Sequence, residues 1–345
     1  MLKKERIVYF DLLRILATFA VVVIHVSAKG MYNVDVHNVD WDINNIFDSL
    51  SRWSVPIFCM ISGALFLDVD NKISTKSLYT KNILRICTAF LFWSFGYAIA
   101  SAFVKSNWSI IEIVKDTITG HYHMWFLFMI IGFYIAVPIL RKITEDKSTA
   151  KYFIIVSLFA TFLIPQILSF DVFSKGSKII NEFYFEITLG YIPYFVMGHY
   201  IHKYGVSKKL QKIIYILGAL SFIITTVATS VFSKKYGEPY EGFYEYLTVN
   251  VLFESLAVFL FGKYILSKIK FSDKAFNIIH TLSRDTFGIY LSHVLFIEIL
   301  LKLVLSKTVF TPLLSVPVIS LTVFVLSWVL SHMLNCIPIV KKYIV

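Results

Sequence analysis

Charge and cysteine are scarce in this sequence. Asp, Glu, Lys and Arg make up 16% of the 345 residues, whereas hydrophobic residues make up 57%. The three cysteines, Cys59, Cys87 and Cys336, lie far apart, so their spacing supports neither a disulfide framework nor a cysteine metal site. A soluble fold of this length would spread charge over a large surface, whereas a fold embedded in a bilayer confines charge to the helix ends. The composition therefore favours a membrane protein.

Acidic residues are outnumbered by basic ones, and the net charge is +11. In a soluble chain this balance would favour nucleic-acid binding. Here the Lys and Arg residues stand between apolar runs, and no patch combines basic with aromatic residues as a nucleic-acid surface would. We therefore expect no nucleic-acid partner, and we expect the lipid bilayer to surround the chain.

Long apolar runs fill most of the sequence, and a membrane-spanning helix needs about 20 such residues. They predict an all-α fold, a polytopic membrane helix bundle of about ten transmembrane helices, with residues 1–345 as a single domain. The first run follows a basic start but has no small-residue cleavage site, so we interpret it as a span and not as a signal peptide. The predicted spans are 8–28, 53–68, 83–104, 123–140, 152–170, 187–202, 213–232, 246–266, 286–305 and 313–333.

The positive residues alternate between rich and poor connections along the chain. The termini and the connections on their side carry 22 of the 33 Lys and Arg residues, and the opposite side carries ten. Because positive residues prefer the cytoplasm, both termini are predicted to be cytoplasmic. The protein is then expected to be a multi-pass component of the cell (cytoplasmic or inner) membrane.

The first outer connection, residues 29–52, is rich in acidic residues. It either gathers a sugar or a cation, or it is a solvated acidic loop. The second interpretation is favoured, because it also fits the outer face. The polar residues of this connection include Asp35, His37, Asp40, Asp42 and Asp48.

Four polar side chains interrupt the first predicted span. Ionisable groups inside a membrane cost several kcal/mol, which makes them candidates for function. At about 100° per residue, Asp11, Thr18 and His25 lie within roughly 60° of Arg14, so the four form one polar stripe. Arg14 and His25 are about 16 Å apart along the helix, which places Arg14 toward the cytoplasm and His25 toward the outer face. The structural alternative is that Arg14 pairs with Asp11 and that His25 caps a loop.

The same stretch resembles the opening of the acyltransferase 3 family of membrane proteins. That family has an Arg, ten further residues and a His in its first span, with an Asp shortly before the Arg. Asp11, Arg14 and His25 match this spacing. The family often has a second Arg three residues before Arg85, where this sequence has Asn82. Further similar segments, in order, are VPIFCMISGALFL at 55–67, KNILRI at 81–86, HMWFL at 123–127, PYFVMGHYI at 193–201 and TFGIYLSHVLF at 286–296.

The resemblance implies an enzyme that transfers an acyl group, commonly acetyl, from cytoplasmic acyl-CoA. The usual acceptor in the family is a hydroxyl of a cell-envelope glycan or of its lipid-linked precursor. Some members carry a fused extracytoplasmic catalytic domain. This sequence shows none, so we expect the chain to act alone or to pass the acyl group to a separate extracytoplasmic partner. The Lys-, Ile- and Phe-rich composition is typical of an AT-rich bacterial genome.

Acyl transfer from a thioester needs a base or a nucleophile, and coenzyme A brings phosphates that Arg or Lys can bind. We therefore expect His25 to be the base or the acyl carrier, with Asp11 and His123 as the other catalytic residues. Arg14 and Arg85 are expected to bind the donor, acyl-CoA. No metal cofactor is expected.

Two aromatic segments also have simpler interpretations. Trp125 alone is typical of an anchor at the membrane interface. His293 lies near mid-membrane and needs a hydrogen-bond partner, which Tyr290 on the same helical face would supply.

Two other functions fit an inward polar stripe. A transporter or flippase for a polysaccharide or lipid-linked sugar would use the stripe as a path. A membrane sensor or anchor would use no chemistry at all. Dependence on acyl-CoA separates an acyltransferase from a transporter, and silent Arg14→Ala and His25→Ala variants would indicate a sensor.

Overall fold

A computed structural model describes residues 7–68, 73–106, 108–170, 190–303 and 311–345, apart from the side chains of 301–303. Within these ranges all regular secondary structure is helical and no strand occurs, which confirms the all-α prediction. The main helices are α1 (Val8–Met31), α2 (Val39–Ser49), α3 (Ser54–Phe66), α4 (Leu84–Lys105), α5 (Ile110–Thr119), α6 (Trp125–Glu145), α7 (Lys147–Ser157), α8 (Ile164–Leu168), α9 (Ile192–Tyr204), α10 (Lys208–Tyr236), α11 (Val249–Tyr264), α12 (Asp273–Leu303), α13 (Pro312–Asn335) and α14 (Pro338–Tyr343).

Eight helical segments of the described part are long and apolar enough to cross a membrane. They confirm the prediction of a polytopic membrane helix bundle. The predicted spans 187–202 and 286–305 both reach beyond the described ranges, so the count of about ten and the cytoplasmic termini stay predictions. The eight segments are Val8–Met31, Val39–Phe66, Thr75–Lys105, Ile110–Glu145, Lys147–Leu168, Lys208–Tyr236, Val249–Lys268 and Pro312–Asn335.

Several helices have a polar N-cap residue just before their apolar run. Ser207 Oγ accepts a hydrogen bond from the backbone N–H of Leu210 at 3.3 Å, at the start of α10. Asp146 accepts one from the backbone N–H of Thr149 at 2.6 Å, at the start of α7, and this bond holds the pKa of Asp146 below its usual value. Each cap satisfies a backbone donor that the first helical turn leaves without an acceptor.

The connection between the first two predicted spans is largely helical. α2 begins where the side chain of Asn38 accepts from the backbone N–H of Asp40 at 2.9 Å. This helix buries Trp41 and Asp48 completely. Asp48 tolerates burial because it forms an ion pair with Arg52. The prediction of a solvated acidic loop is therefore wrong for this residue.

The chain divides into two compact units. Asp11, Arg14 and His25 belong to the first unit, and Arg85 and His123 belong to the second. The prediction of a single domain over 1–345 stays a prediction. The first unit comprises Met1–Asn71, Ile139–Ser283 and Phe310–Pro317, and the second comprises Lys72–Pro138, Arg284–Val309 and Val318–Val345.

Glycines bring helices of the first unit into backbone contact. A Cβ added to Gly63 of α3 would lie 1.7 Å from the backbone oxygen of Phe195, and one added to Gly198 of α9 would lie 2.1 Å from that of Met60. Such an approach is open only to glycine. Across another contact, a Cβ on Gly262 of α11 would lie 2.6 Å from Leu13 Cδ1 of α1. The helix that carries the polar stripe, α1, is therefore closely packed against α11.

A π-helical segment, Leu78–Ile83, leads directly into α4 in the second unit. The wider turn changes the register of the helix, and such segments often accompany functional sites. Arg85 is the second residue of α4, immediately after this segment.

Candidate functional site

Asp11 lies at the N-terminal end of the α1 stripe. Its side chain is buried, with 2% of the residue exposed. Its Oδ1 accepts a hydrogen bond from Ser283 Oγ at 2.7 Å and one from Arg14 Nη1 at 3.3 Å. The pairing of Arg14 with Asp11 therefore exists, and the Arg14 side chain remains 29% exposed. A buried carboxylate held on two sides fixes the direction in which this guanidinium points.

His25 is half-buried in the C-terminal part of α1. Fourteen helical positions separate it from Asp11, which corresponds to about 21 Å along the axis. Asp11 therefore acts on Arg14 and cannot touch the imidazole of His25. Thr18, between them, donates its hydroxyl proton to the backbone oxygen of Arg14 at 2.8 Å, so its side chain serves the helix itself.

A buried charge network lies just beyond His25 along the chain. Ser27 Oγ donates to Asp48 Oδ2 at 3.2 Å, and Asp48 is paired with Arg52. The guanidinium of Arg52 stacks 4.0 Å from the ring centre of Tyr244. Burial raises the pKa of Tyr244 well above its ordinary value, so its hydroxyl keeps a proton and donates to the side chain of Asn45. The i,i+4 spacing of Asp48 and Arg52 was the sequence signal for this network.

Two histidines meet in the core of the second unit. His123 is 2% exposed and His293 is fully buried, with their rings edge to face at a centroid distance of 5.2 Å. His293 Nδ1 lies 2.6 Å from the backbone oxygen of Tyr290, so this nitrogen carries the proton and Nε2 keeps the lone pair of the neutral ring. His123 belongs to the HMWFL segment and His293 to the TFGIYLSHVLF segment, so two of the family-like segments meet at this pair.

Tyr290 contacts both histidines of this pair. Its hydroxyl donates to the backbone oxygen of His123, and its backbone oxygen accepts from His293. Tyr290 therefore supplies the hydrogen-bond partner expected for His293, through its backbone oxygen. Trp125, next to the pair in sequence, is 39% exposed, as an interface anchor would be.

His121, which was not among the predicted site residues, extends the pair toward a carboxylate. Its Nδ1 lies 3.0 Å from His123 Nδ1, and its Nε2 lies 3.7 Å from Glu298 Oε1. Tyr97 stacks on the His121 ring at 4.5 Å and donates its hydroxyl proton to the backbone oxygen of Leu291 at 2.9 Å. Glu298, His121 and His123 thus form a row of three titratable groups, in which the two imidazoles lie at hydrogen-bond distance and Glu298 lies 3.7 Å from His121. The repeat His-Tyr-His at 121–123 was the available sequence signal.

Arg85 lies in the first turn of α4, twelve residues before Tyr97, and is half-buried. Its Nη2 donates to the backbone oxygen of Val345, and its guanidinium carbon stands 5.3 Å from the ring centre of Phe287. Together with Lys341 and Lys342 it lines a cavity of about 490 Å³. The other residues along this cavity are Asn335, Cys336 and Pro338.

Within the described ranges, no group of three or more His, Cys, Asp or Glu side chains is placed to hold a metal ion. His202 instead contacts the hydroxyl of Tyr9 through Nδ1 at 2.6 Å, while its backbone oxygen accepts from Lys263 Nζ.

Comparison with known proteins gives one clear finding. A family model described as an acyltransferase domain matches residues 7–332 of the 345-residue chain. We found no match to the chain among curated proteins or among solved structures. The matched range includes the α1 stripe, Arg85 and the histidine row. The chain is therefore a multi-pass membrane protein that belongs to the acyltransferase 3 family.

Proposed function

We propose that the protein is a membrane-bound O-acyltransferase that moves an acyl group, with acetyl as the first candidate, from cytoplasmic acyl-CoA. The acceptor is a hydroxyl of a cell-envelope glycan or of a lipid-linked sugar. One observation carries the proposal. A single helix presents a guanidinium held by a buried carboxylate and, about 16 Å further along, a half-buried imidazole.

Donor binding falls to the two arginines. Coenzyme A carries several phosphates, and Arg forms bidentate, charge-assisted hydrogen bonds to such groups. Arg14 is oriented by Asp11, which makes Asp11 a positioning residue for donor binding. Arg85 lines a cavity with two further cations, so the residues present suit an anionic ligand.

His25 is proposed to act on the acceptor or on the acyl group. As a base, its imidazole takes the hydroxyl proton while the acceptor oxygen attacks the thioester carbonyl, and the coenzyme A thiolate leaves and takes up that proton. As an acyl carrier, its ring nitrogen attacks first and the acceptor oxygen then displaces the imidazole. Either route forms one C–O bond and breaks one C–S bond overall.

His123 is proposed to pass protons during this reaction. Its contact with His121, and the contact of His121 with Glu298, offer a path of three titratable groups within the second unit. An imidazole can accept a proton on one nitrogen while it releases one from the other.

Acyl transfer in oriented membrane vesicles tests the proposal. Labelled acetyl-CoA is supplied on the cytoplasmic side, and label is followed into glycan and lipid-linked material. We expect His25→Ala to lower transfer at least about 100-fold, which is the usual scale for loss of a general base. His37→Ala is the matched control, because His37 is exposed and outside α1.

Full activity of His25→Ala would overturn its assigned role. If wild-type vesicles transfer no label, and cells lacking the protein still fail to export or modify a glycan, the function is that of a transporter or flippase. The polar stripe on α1 would then line a transport path.

A further inference from the structure

Two lysines, Lys341 and Lys342, line the cavity beside Arg85, and the proposed function gives them no role of their own. We propose that this cavity binds phosphate groups, and that Lys341 and Lys342 hold the nucleotide end of the donor together with Arg85. The identity of the nucleotide as coenzyme A rests on the proposed function. The cavity itself is formed by α4, the end of α13 and α14, all within the second unit.

The lining of the cavity selects for anions. Three of its six lining side chains are cationic and none is a carboxylate. The Asn335 side chain adds an amide, although its nitrogen already donates to the backbone oxygen of Ser331 at 3.0 Å. A volume of about 490 Å³ is within the range of small-molecule sites. Like charges gathered around one space repel each other, and a multiply charged anion would remove that repulsion.

The position of the lysines is fixed by the chain that follows them. Thr88 Oγ1 of α4 donates to the backbone oxygen of Tyr343 at 2.5 Å, and Trp93 Nε1 donates to that of Ile344 at 3.2 Å. Arg85 donates to the backbone oxygen of Val345. Three side chains of one helix therefore hold this segment in place, and α14 carries Lys341 and Lys342 to the cavity.

Arg85 supplies a second, independent indication of a ligand. Its Nε is buried and has no hydrogen-bond partner among the described residues. A buried donor without an acceptor is unfavourable, so an anionic ligand whose oxygen reached this nitrogen would gain a hydrogen bond. Another nitrogen of the same guanidinium already donates to the backbone oxygen of Val345. The positive charges of the two lysines would therefore be needed, with that of Arg85, to neutralise a ligand that carries several negative charges.

Clustered phosphates could come from the nucleotide end of the donor or from an anionic lipid headgroup. Three cations match a pyrophosphate with an additional 3′-phosphate better than the single charge of a phosphodiester lipid. The distribution of Lys and Arg predicts that this end of the bundle lies at the cytoplasmic face, where acyl-CoA is found. The nucleotide is therefore the assigned source.

Ligand binding to the full-length protein in nanodiscs tests the assignment. The double variant K341Q/K342Q is compared with wild type and with K208Q/K209Q, which removes the same charge from exposed lysines at the start of α10. In phosphatidylcholine discs we expect the Kd for coenzyme A to rise at least about tenfold in K341Q/K342Q only, the scale of one lost charge-assisted contact. Dephospho-coenzyme A should bind wild type more weakly than coenzyme A, and this difference should shrink in the variant.

The outcomes separate this inference from the proposed function. Equal coenzyme A binding by wild type and a folded K341Q/K342Q would overturn the lysine assignment and leave the donor proposal standing. No coenzyme A binding by wild type would contradict the proposed function and the nucleotide assignment together. If discs with added phosphatidylglycerol reveal lipid binding that depends on Lys341 and Lys342, while coenzyme A binding does not, the source is lipid and the nucleotide assignment is wrong. Melting temperatures equal to wild type show that each variant is folded.

Discussion

Buried carboxylates orient basic side chains in both units. Asp11 holds Arg14 in the first unit. In the second unit, Asp285 is completely buried and accepts from Arg284 Nε at 2.8 Å and from His332 Nδ1 at 2.9 Å. A buried charge is tolerated only where such partners surround it. In these sites the carboxylate fixes the direction of a neighbouring cation or imidazole, and that neighbour remains partly exposed.

At the scale of single residues, the histidine row predicts graded losses of activity. His123→Ala should lower the rate of acyl transfer about 100-fold and His121→Ala about tenfold, because the first removes the buried member of the row and the second its link to Glu298. Steady-state transfer from labelled acetyl-CoA measures both effects.

His332→Ala is the control for this series. It also removes an imidazole from the second unit, but one that pairs with Asp285 outside the row. Wild-type rates in His121→Ala would show that His123 does not need this neighbour, and a loss in His332→Ala as large as in His123→Ala would indicate general damage to the unit.

At the scale of helices, the pairing of α3 with α9 depends on two glycines. Gly63→Ala and Gly198→Ala each place a methyl group inside the van der Waals radius of a backbone atom of the other helix. Since backbone cannot move aside as a side chain can, we expect each change to cost about 3 kcal/mol of stability, the upper end of the usual overpacking range. Thermal unfolding in detergent, followed by loss of the monodisperse fraction, measures the effect.

Gly96→Ala and Gly132→Ala provide matched controls, because an added Cβ at either position meets no atom within 4 Å among the described residues. Both lie inside helices, where Ala is the better helix former. They should leave the melting temperature unchanged or raise it slightly. Equal behaviour of all four variants would show that α3 and α9 are not in backbone contact.

At the scale of the whole molecule, the alternation of Lys and Arg predicts cytoplasmic termini. Cys336, which is exposed near the end of α13, should then react with a membrane-impermeant maleimide only after cells are permeabilised. His37→Cys, in a background without the three native cysteines, should react in intact cells. Labelling of Cys336 in intact cells would reverse the topology and move the basic cavity to the outer face.

The sequence by itself determined the fold class, the membrane environment and the family. The apolar runs and the Asp11, Arg14 and His25 spacing depend only on local order along the chain, and local order is what periodicity and motifs record. For the same reason the sequence indicated that Arg14 and Asp11 could pair, since they lie one helical turn apart.

Only the tertiary structure decided which distant residues share a site. The meeting of His123 with His293, the link from His121 to Glu298, and the placing of Lys341 beside Arg85 all join positions far apart in the chain. The i,i+4 spacing of Asp48 and Arg52 indicated that the two could pair, but the acidic composition of residues 29–52 indicated solvent, and only the structure showed Asp48 buried with Arg52 and Ser27 as partners. Such contacts depend on how helices pack, and helix packing is set by close approaches such as Gly63 against Phe195 that leave no periodic trace in the sequence.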